Sequence, residues 1–65
     1  MFNFYITIDG SFDSRELYNK IKQYKINMLD VGNKTMIQGN TNYQTFLQII
    51  IECHKYSSKI SIDIV

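Results

Sequence analysis

Cys53 and His54 place a thiol next to an imidazole, the pairing in this chain that most directly invites nucleophilic or metal chemistry. They are the only cysteine and the only histidine in the 65 residues. Neighbours on a helix point about 100° apart, and a structural zinc site takes four ligands, so two adjacent donors without a further His or Cys do not make one. Both fall within an apolar helical stripe, and core packing is the expectation for each. The carboxylates Asp9, Asp13, Glu16, Asp30, Glu52 and Asp63 are scattered instead of paired at a spacing that predicts acid and base roles. Capping and solvation account for most of them. No glycine-rich phosphate loop is present. The chemistry-bearing residues therefore predict no catalytic site, no metal and no cofactor.

The elements that would position these residues follow from hydrophobic periodicity. Phe2, Phe4, Ile6 and Ile8 alternate with Asn3, Tyr5 and Thr7, the period-two pattern of a strand with one buried face, closed by Asp9 and Gly10. Asp13 followed by Glu16 resembles a capping box and predicts a helix whose inner side carries Leu17, Ile21 and Tyr24, with Tyr18 alongside. Ile26 to Val31 and Lys34 to Gln38 are β-prone runs joined by Gly32 and Asn33, a two-residue hairpin connection. Thr41 and Gln44 give a second capping-box pattern, opening a helix that runs without Gly or Pro to about Tyr56. Ile60, Ile62 and Ile64, alternating with Ser61 and Asp63, form the last strand and should turn one apolar face to the core.

Strand, helix, strand, strand, helix, strand is the order of an α+β, ferredoxin-like split βαβ domain, with a four-stranded antiparallel sheet and both helices on one face. One such domain fills residues 1–65. The first and third strands are then central and the second and fourth are edges, leaving the opposite sheet face and two edges free for contacts.

Three comparisons follow from that order. The segment Gly10-Ser-Phe-Asp-Ser-Arg-Glu16 is similar in position to the Gly-Met-Thr-Cys-x-x-Cys loop of heavy-metal-associated domains, but Asp13 and Glu16 stand where that loop has its thiolates, which removes soft-metal chaperoning. The element order with a glycine after the first strand also resembles ACT domains, a resemblance that implies amino-acid binding at a dimer interface. The RNA-recognition motif shares the order and stacks bases on aromatics from its two central strands. Here Tyr5 lies on the open face while Lys34-Thr35-Met36-Ile37-Gln38 supplies no aromatic, so that motif is missing. Lys20, Lys22, Lys25 and Lys34 read as a solvated rim; a single-stranded nucleic-acid binder using them with Tyr5 is an alternative, not the favoured one.

Composition narrows the class. Hydrophobic residues are 45% and charged residues 20%, which suits a folded domain, and the net charge of +1 does not favour nucleic acid as a partner. A lone cysteine fits a reducing compartment. The chain leads from Met1 straight into a strand-like run with no leader or long apolar stretch, so a cytoplasmic location without membrane contact is expected. The absence of Pro and Trp and the excess of Asn, Lys, Ile and Tyr fit an AT-rich coding genome, of the kind found in a low-GC bacterium or its phage. A domain of this size hides only about 60% of the surface of its unfolded chain, and a partner would add stability.

Two places leave apolar surface without cover. The second helix is apolar over an arc of roughly 220°, with Ile49 and Ile51 on opposite flanks of its central stripe; packing against the first helix would cover one flank and leave the other exposed. In the hairpin, Ile26, Met28 and Ile37 share one side with Asp30 and Thr35, and Leu29, Val31 and Met36 share the other with Asn27, Lys34 and Gln38. Whichever set is buried, three large apolar side chains remain on the helix-free face near Tyr5. The expectation is a non-enzymatic protein-binding module, self-associating as a homodimer or bound to a larger protein partner, that uses Tyr5, Leu29, Val31, Met36, Ile49 and Ile51. Its size and composition fit a small regulator or inhibitor from a phage or mobile element, such as an anti-CRISPR-like protein. An ACT-like dimer binding a small ligand is the other alternative.

Overall fold

A computed structural model describes residues 1–65. Strand β1 (Phe2–Asp9) buries Phe4, Ile6 and Ile8 completely and turns Asn3, Tyr5 and Asp9 to solvent, as its alternation demands. Gly10 leaves the strand at φ +112°, a conformation that favours glycine, and its N–H donates to the Asn33 carbonyl at 2.8 Å, tying the strand end to the hairpin turn.

Helix α1 (Ser14–Ile21) is capped by Asp13, whose carboxylate accepts from the Glu16 N–H at 3.2 Å. Leu17 and Ile21 are its buried residues. The helix then tightens into a 3-10 turn over Lys22–Tyr24 and stops at Lys25, in the left-handed region at φ 59°. Tyr24 therefore packs on the core from that turn and not from the α-helix. Tyr18 is exposed.

Strands β2 (Asn27–Asp30) and β3 (Lys34–Thr41) pair antiparallel, with Asp30 opposite Thr35, Leu29 opposite Met36, Met28 opposite Ile37 and Asn27 opposite Gln38. Gly32 at φ +83° makes the turn, and the Val31 N–H donates to the Lys34 carbonyl at 2.9 Å. β3 runs on through Gly39 and Asn40, beyond the Gln38 end expected from sequence, because β1 pairs with it along its whole length from Phe2 opposite Thr41 to Asp9 opposite Lys34. Gly39 is required where Phe4 faces it. A Cβ there would lie 2.8 Å from Phe4 Cζ and 3.1 Å from Ile26 Cγ2.

Helix α2 (Tyr43–His54) is capped by Asn42, whose side chain accepts from the Thr45 N–H at 2.8 Å. The Thr41–Gln44 capping box expected from sequence does not form, because Thr41 is the last residue of β3 and is buried there opposite Phe2. Strand β4 (Ile60–Ile64) pairs antiparallel with β1 through Phe4 opposite Ile64, Ile6 opposite Ile62 and Ile8 opposite Ile60.

The domain is thus α+β, with two helices and a four-stranded antiparallel sheet in the order β2-β3-β1-β4. Its core joins Phe4, Ile6, Ile8, Ile26 and Ile37 of the sheet side to Leu17 and Ile21 of α1 and Phe46, Ile49 and Cys53 of α2. Phe2, Phe4 and Phe46 meet edge to face, with Phe46 centred 5.2 Å from Phe2 and 5.1 Å from Phe4.

Three expectations are corrected by this packing. Ile49 is fully buried in the core and is not available to a partner, because the flank of α2 that carries it turns toward α1 and the sheet. Ile62 is not a core residue: it shares a face with Ile6 but stands on edge strand β4, and it is 40% exposed, with Ile64 at 58%. His54 leaves the apolar stripe and is exposed, while Cys53 packs in the core as expected.

Candidate interaction surfaces

Register decides which side chains meet on the helix-free face. Following the pairs across the sheet, Leu29, Met36, Thr7 and Ser61 form one row, and Asn27, Gln38, Tyr5 and Asp63 the next. Beyond the first row, at the turn, lie Val31 and the Lys34–Asp9 pair at 3.9 Å. Beyond the second, Asn40 Nδ2 donates to Asn3 Oδ1 at 2.7 Å. The face is therefore divided: its apolar side chains gather at the turn end of β2 and β3 with Tyr5 beside them, and the rest is polar.

The hairpin set that turns away from the helices is Leu29, Val31 and Met36, which are 57%, 51% and 43% exposed. Thr35 and Ile37 are buried on the other side and Ile26 with them. Tyr5 borders the patch at 40% exposure, its hydroxyl accepting from Gln38 Nε2 at 3.3 Å. Between Tyr5, Leu29 and Met36 the face is hollowed by about 160 Å³, with Thr7 and Gln38 at its rim. Taking a Leu, Val or Met side chain from full exposure to full burial stabilises by roughly 1.5–3 kcal/mol, and about half of that remains to be gained at each of these three, so together they favour cover.

Four of the six residues expected to bind a partner, Tyr5, Leu29, Val31 and Met36, are thus brought together on one face. Ile51 is also exposed but lies on the outer side of α2, across the core from them. A further apolar surface was missed in the sequence: Ile62 and Ile64 on edge strand β4, with Tyr43 and Leu47 of α2 exposed on the same side of the sheet as their side chains. The signal was the edge position of the last strand, which leaves half of an apolar face without a helix over it.

Titratable groups do not converge. No three His, Cys, Asp or Glu side chains come together with metal-holding geometry. Burial pushes the Cys53 thiol up to about 12, with the Glu52 carboxylate adding to the shift. Lys20 rests 5.4 Å over the Tyr56 ring and is pushed above its ordinary value, first by the Tyr56 hydroxyl and then by the acidic neighbours Glu52 and Glu16. Lys20 also pairs with Glu16 at 3.8 Å, and Glu52 with Lys55 at 3.0 Å. Phe12 packs on Tyr56 with ring centres 5.7 Å apart, so this cluster closes the seam between α1, α2 and the first loop. With Lys20 in that seam and Lys34 beside Asp9, two of the four lysines of the expected rim are engaged with carboxylates.

No helix is long and apolar enough to cross a membrane. Comparison with protein-family models, with curated proteins and with solved structures gives no match.

Proposed function

We propose that this chain is a non-enzymatic protein-binding module of ferredoxin-like architecture that grips a partner protein with the hairpin half of its helix-free face. What supports the architectural reading is two strand-helix-strand halves joined by a hairpin, with β1 and β3 central. What carries the functional reading is one observation, the gathering of exposed Leu29, Val31 and Met36 beside Tyr5 on a single patch. The patch meets the partner with apolar anchors, and the polar rows of Gln38, Asn27 and Thr7 form its rim. The small size and the composition of the chain, without Pro or Trp, fit a small regulator or inhibitor of phage or mobile-element origin.

The experiment is a comparison of the wild-type chain with the double variant Leu29→Asp/Met36→Asp as bait in extract of the native host. A protein held by the wild type and lost by a folded double variant supports the reading. Equal capture by both removes it.

A further inference from the structure

The open edge of β4 has the pattern of a strand made to pair with its own copy. The Asp9 backbone N–H donates to the Lys59 carbonyl at 2.9 Å and the Val65 backbone N–H to the Asn3 carbonyl at 2.9 Å, which fixes the phase of the β1–β4 ladder. Lys59, Ser61, Asp63 and Val65 then point their backbone groups at β1, and Ile60, Ile62 and Ile64 point theirs outward, with no strand beyond them. The same three isoleucines turn their side chains to the helix side of the sheet, where Ile62 and Ile64 are only half covered.

We propose that a second copy of this chain docks here, β4 against β4 in antiparallel pairing centred on Ile62, to form a continuous eight-stranded sheet. In that register Ile60 lies opposite Ile64 of the second copy, Ile62 opposite its own equivalent, and Asp63 opposite Ser61, so no like charges meet. A register centred on Asp63 would set two carboxylates face to face, and one centred on Ser61 would put Ile64 opposite Ser58. Self-pairing in one register is the self-complementarity a two-fold interface needs.

The helices reinforce it. The Lys20 ammonium of α1 lies 5.4 Å over the Tyr56 ring just beyond α2, so that flank of α2 faces α1, and the flank with exposed Tyr43 and Leu47 is turned away from α1. Antiparallel pairing of two edges puts the two-fold axis perpendicular to the sheet, which brings both helix layers to the same side and these flanks toward one another. Tyr43, Leu47, Ile62 and Ile64 are the exposed apolar side chains that this pairing covers, a small interface of the kind that associates weakly. The other edge is less suited: β2 has four residues, and Asp30 on it is engaged by the Ser14 hydroxyl at 2.6 Å. This interface uses neither Leu29 nor Met36, so it stands or falls apart from the binding patch of the open face.

Sedimentation velocity of the full chain up to about 1 mM, a range set by the weak affinity of so small an interface, tests it. The expected result is a species of twice the 7.7 kDa chain mass that is lost in Ile64→Lys and kept in Leu29→Asp. Oxidation of Ile62→Cys should give a covalent dimer and Ser61→Cys none, because facing residues on the axis approach within disulfide reach. A wild-type monomer throughout, a dimer that survives Ile64→Lys, or a crosslink at Ser61 in place of Ile62 overturns the proposal.

Discussion

Leu29 and Met36 face each other across β2 and β3 on the side of the sheet that carries no helix. One step along each strand, Met28 and Ile37 face each other on the core side. The same hairpin therefore offers two apolar pairs, of which the fold buries one.

Charge substitutions should separate the two pairs. Leu29→Asp and Met36→Asp are expected to lower stability by no more than about 1 kcal/mol each, as surface changes do, whereas Ile37→Asp should unfold the chain by burying an unpaired carboxylate. Urea titration followed by circular dichroism reads this. Unfolding by Leu29→Asp would mean that the open face is part of the core.

Gly39→Ala should destabilise the domain by about 1–3 kcal/mol, because the added methyl meets the Phe4 ring and Ile26. Replacing Phe4 by Leu costs stability by itself but should reduce the further loss caused by Gly39→Ala. A double-mutant cycle of the two measures this coupling, and strict additivity would contradict the contact.

The cap assignment of α2 has its own test. Asn42→Ala should lose about 1 kcal/mol and Gln44→Ala less than about 0.5 kcal/mol, as measured by thermal denaturation. The reverse ranking would restore the capping box.

Cys53 links stability to alkaline pH. Its folded pKa of about 12 lies above the ordinary value of 9.0, so the unfolded chain gives up the thiol proton first. The stabilising effect is complete below pH 9 and falls by about 1.4 kcal/mol per pH unit as pH rises from about 9 to 12. Cys53→Val should flatten that part of the profile relative to wild type. In the native chain at pH 8 the thiol should also resist a disulfide reagent until urea unfolds the domain.

Local patterns made much of this structure legible in the sequence. Alternation in β1, the Asp13 cap and the Gly32-Asn33 turn each depend on a few neighbouring residues, and the turn fixed the pairing of Leu29 with Met36. Which hairpin face is buried depends on α1 and β1, far away in sequence, and both sets of side chains were equally apolar. Ile62 was misplaced for a similar reason: its alternation marks a strand face but does not say whether a helix reaches over that edge. Ile49 and Ile51 are two residues apart on an apolar helix, and only the position of α1 decides that Ile49 is the one enclosed. Thr41 matched a cap motif, yet pairing with Phe2 kept it in the sheet.

Affinity of the open face for a partner protein is the property on which the binding patch stands or falls. With wild-type chain, folded Leu29→Asp/Met36→Asp and Ile51→Asp as parallel baits in extract of the native host, the protein retained by wild type should be retained by Ile51→Asp and lost from the double variant. Retention by the double variant, or loss from Ile51→Asp alone, would contradict the assignment of the binding patch to the hairpin face.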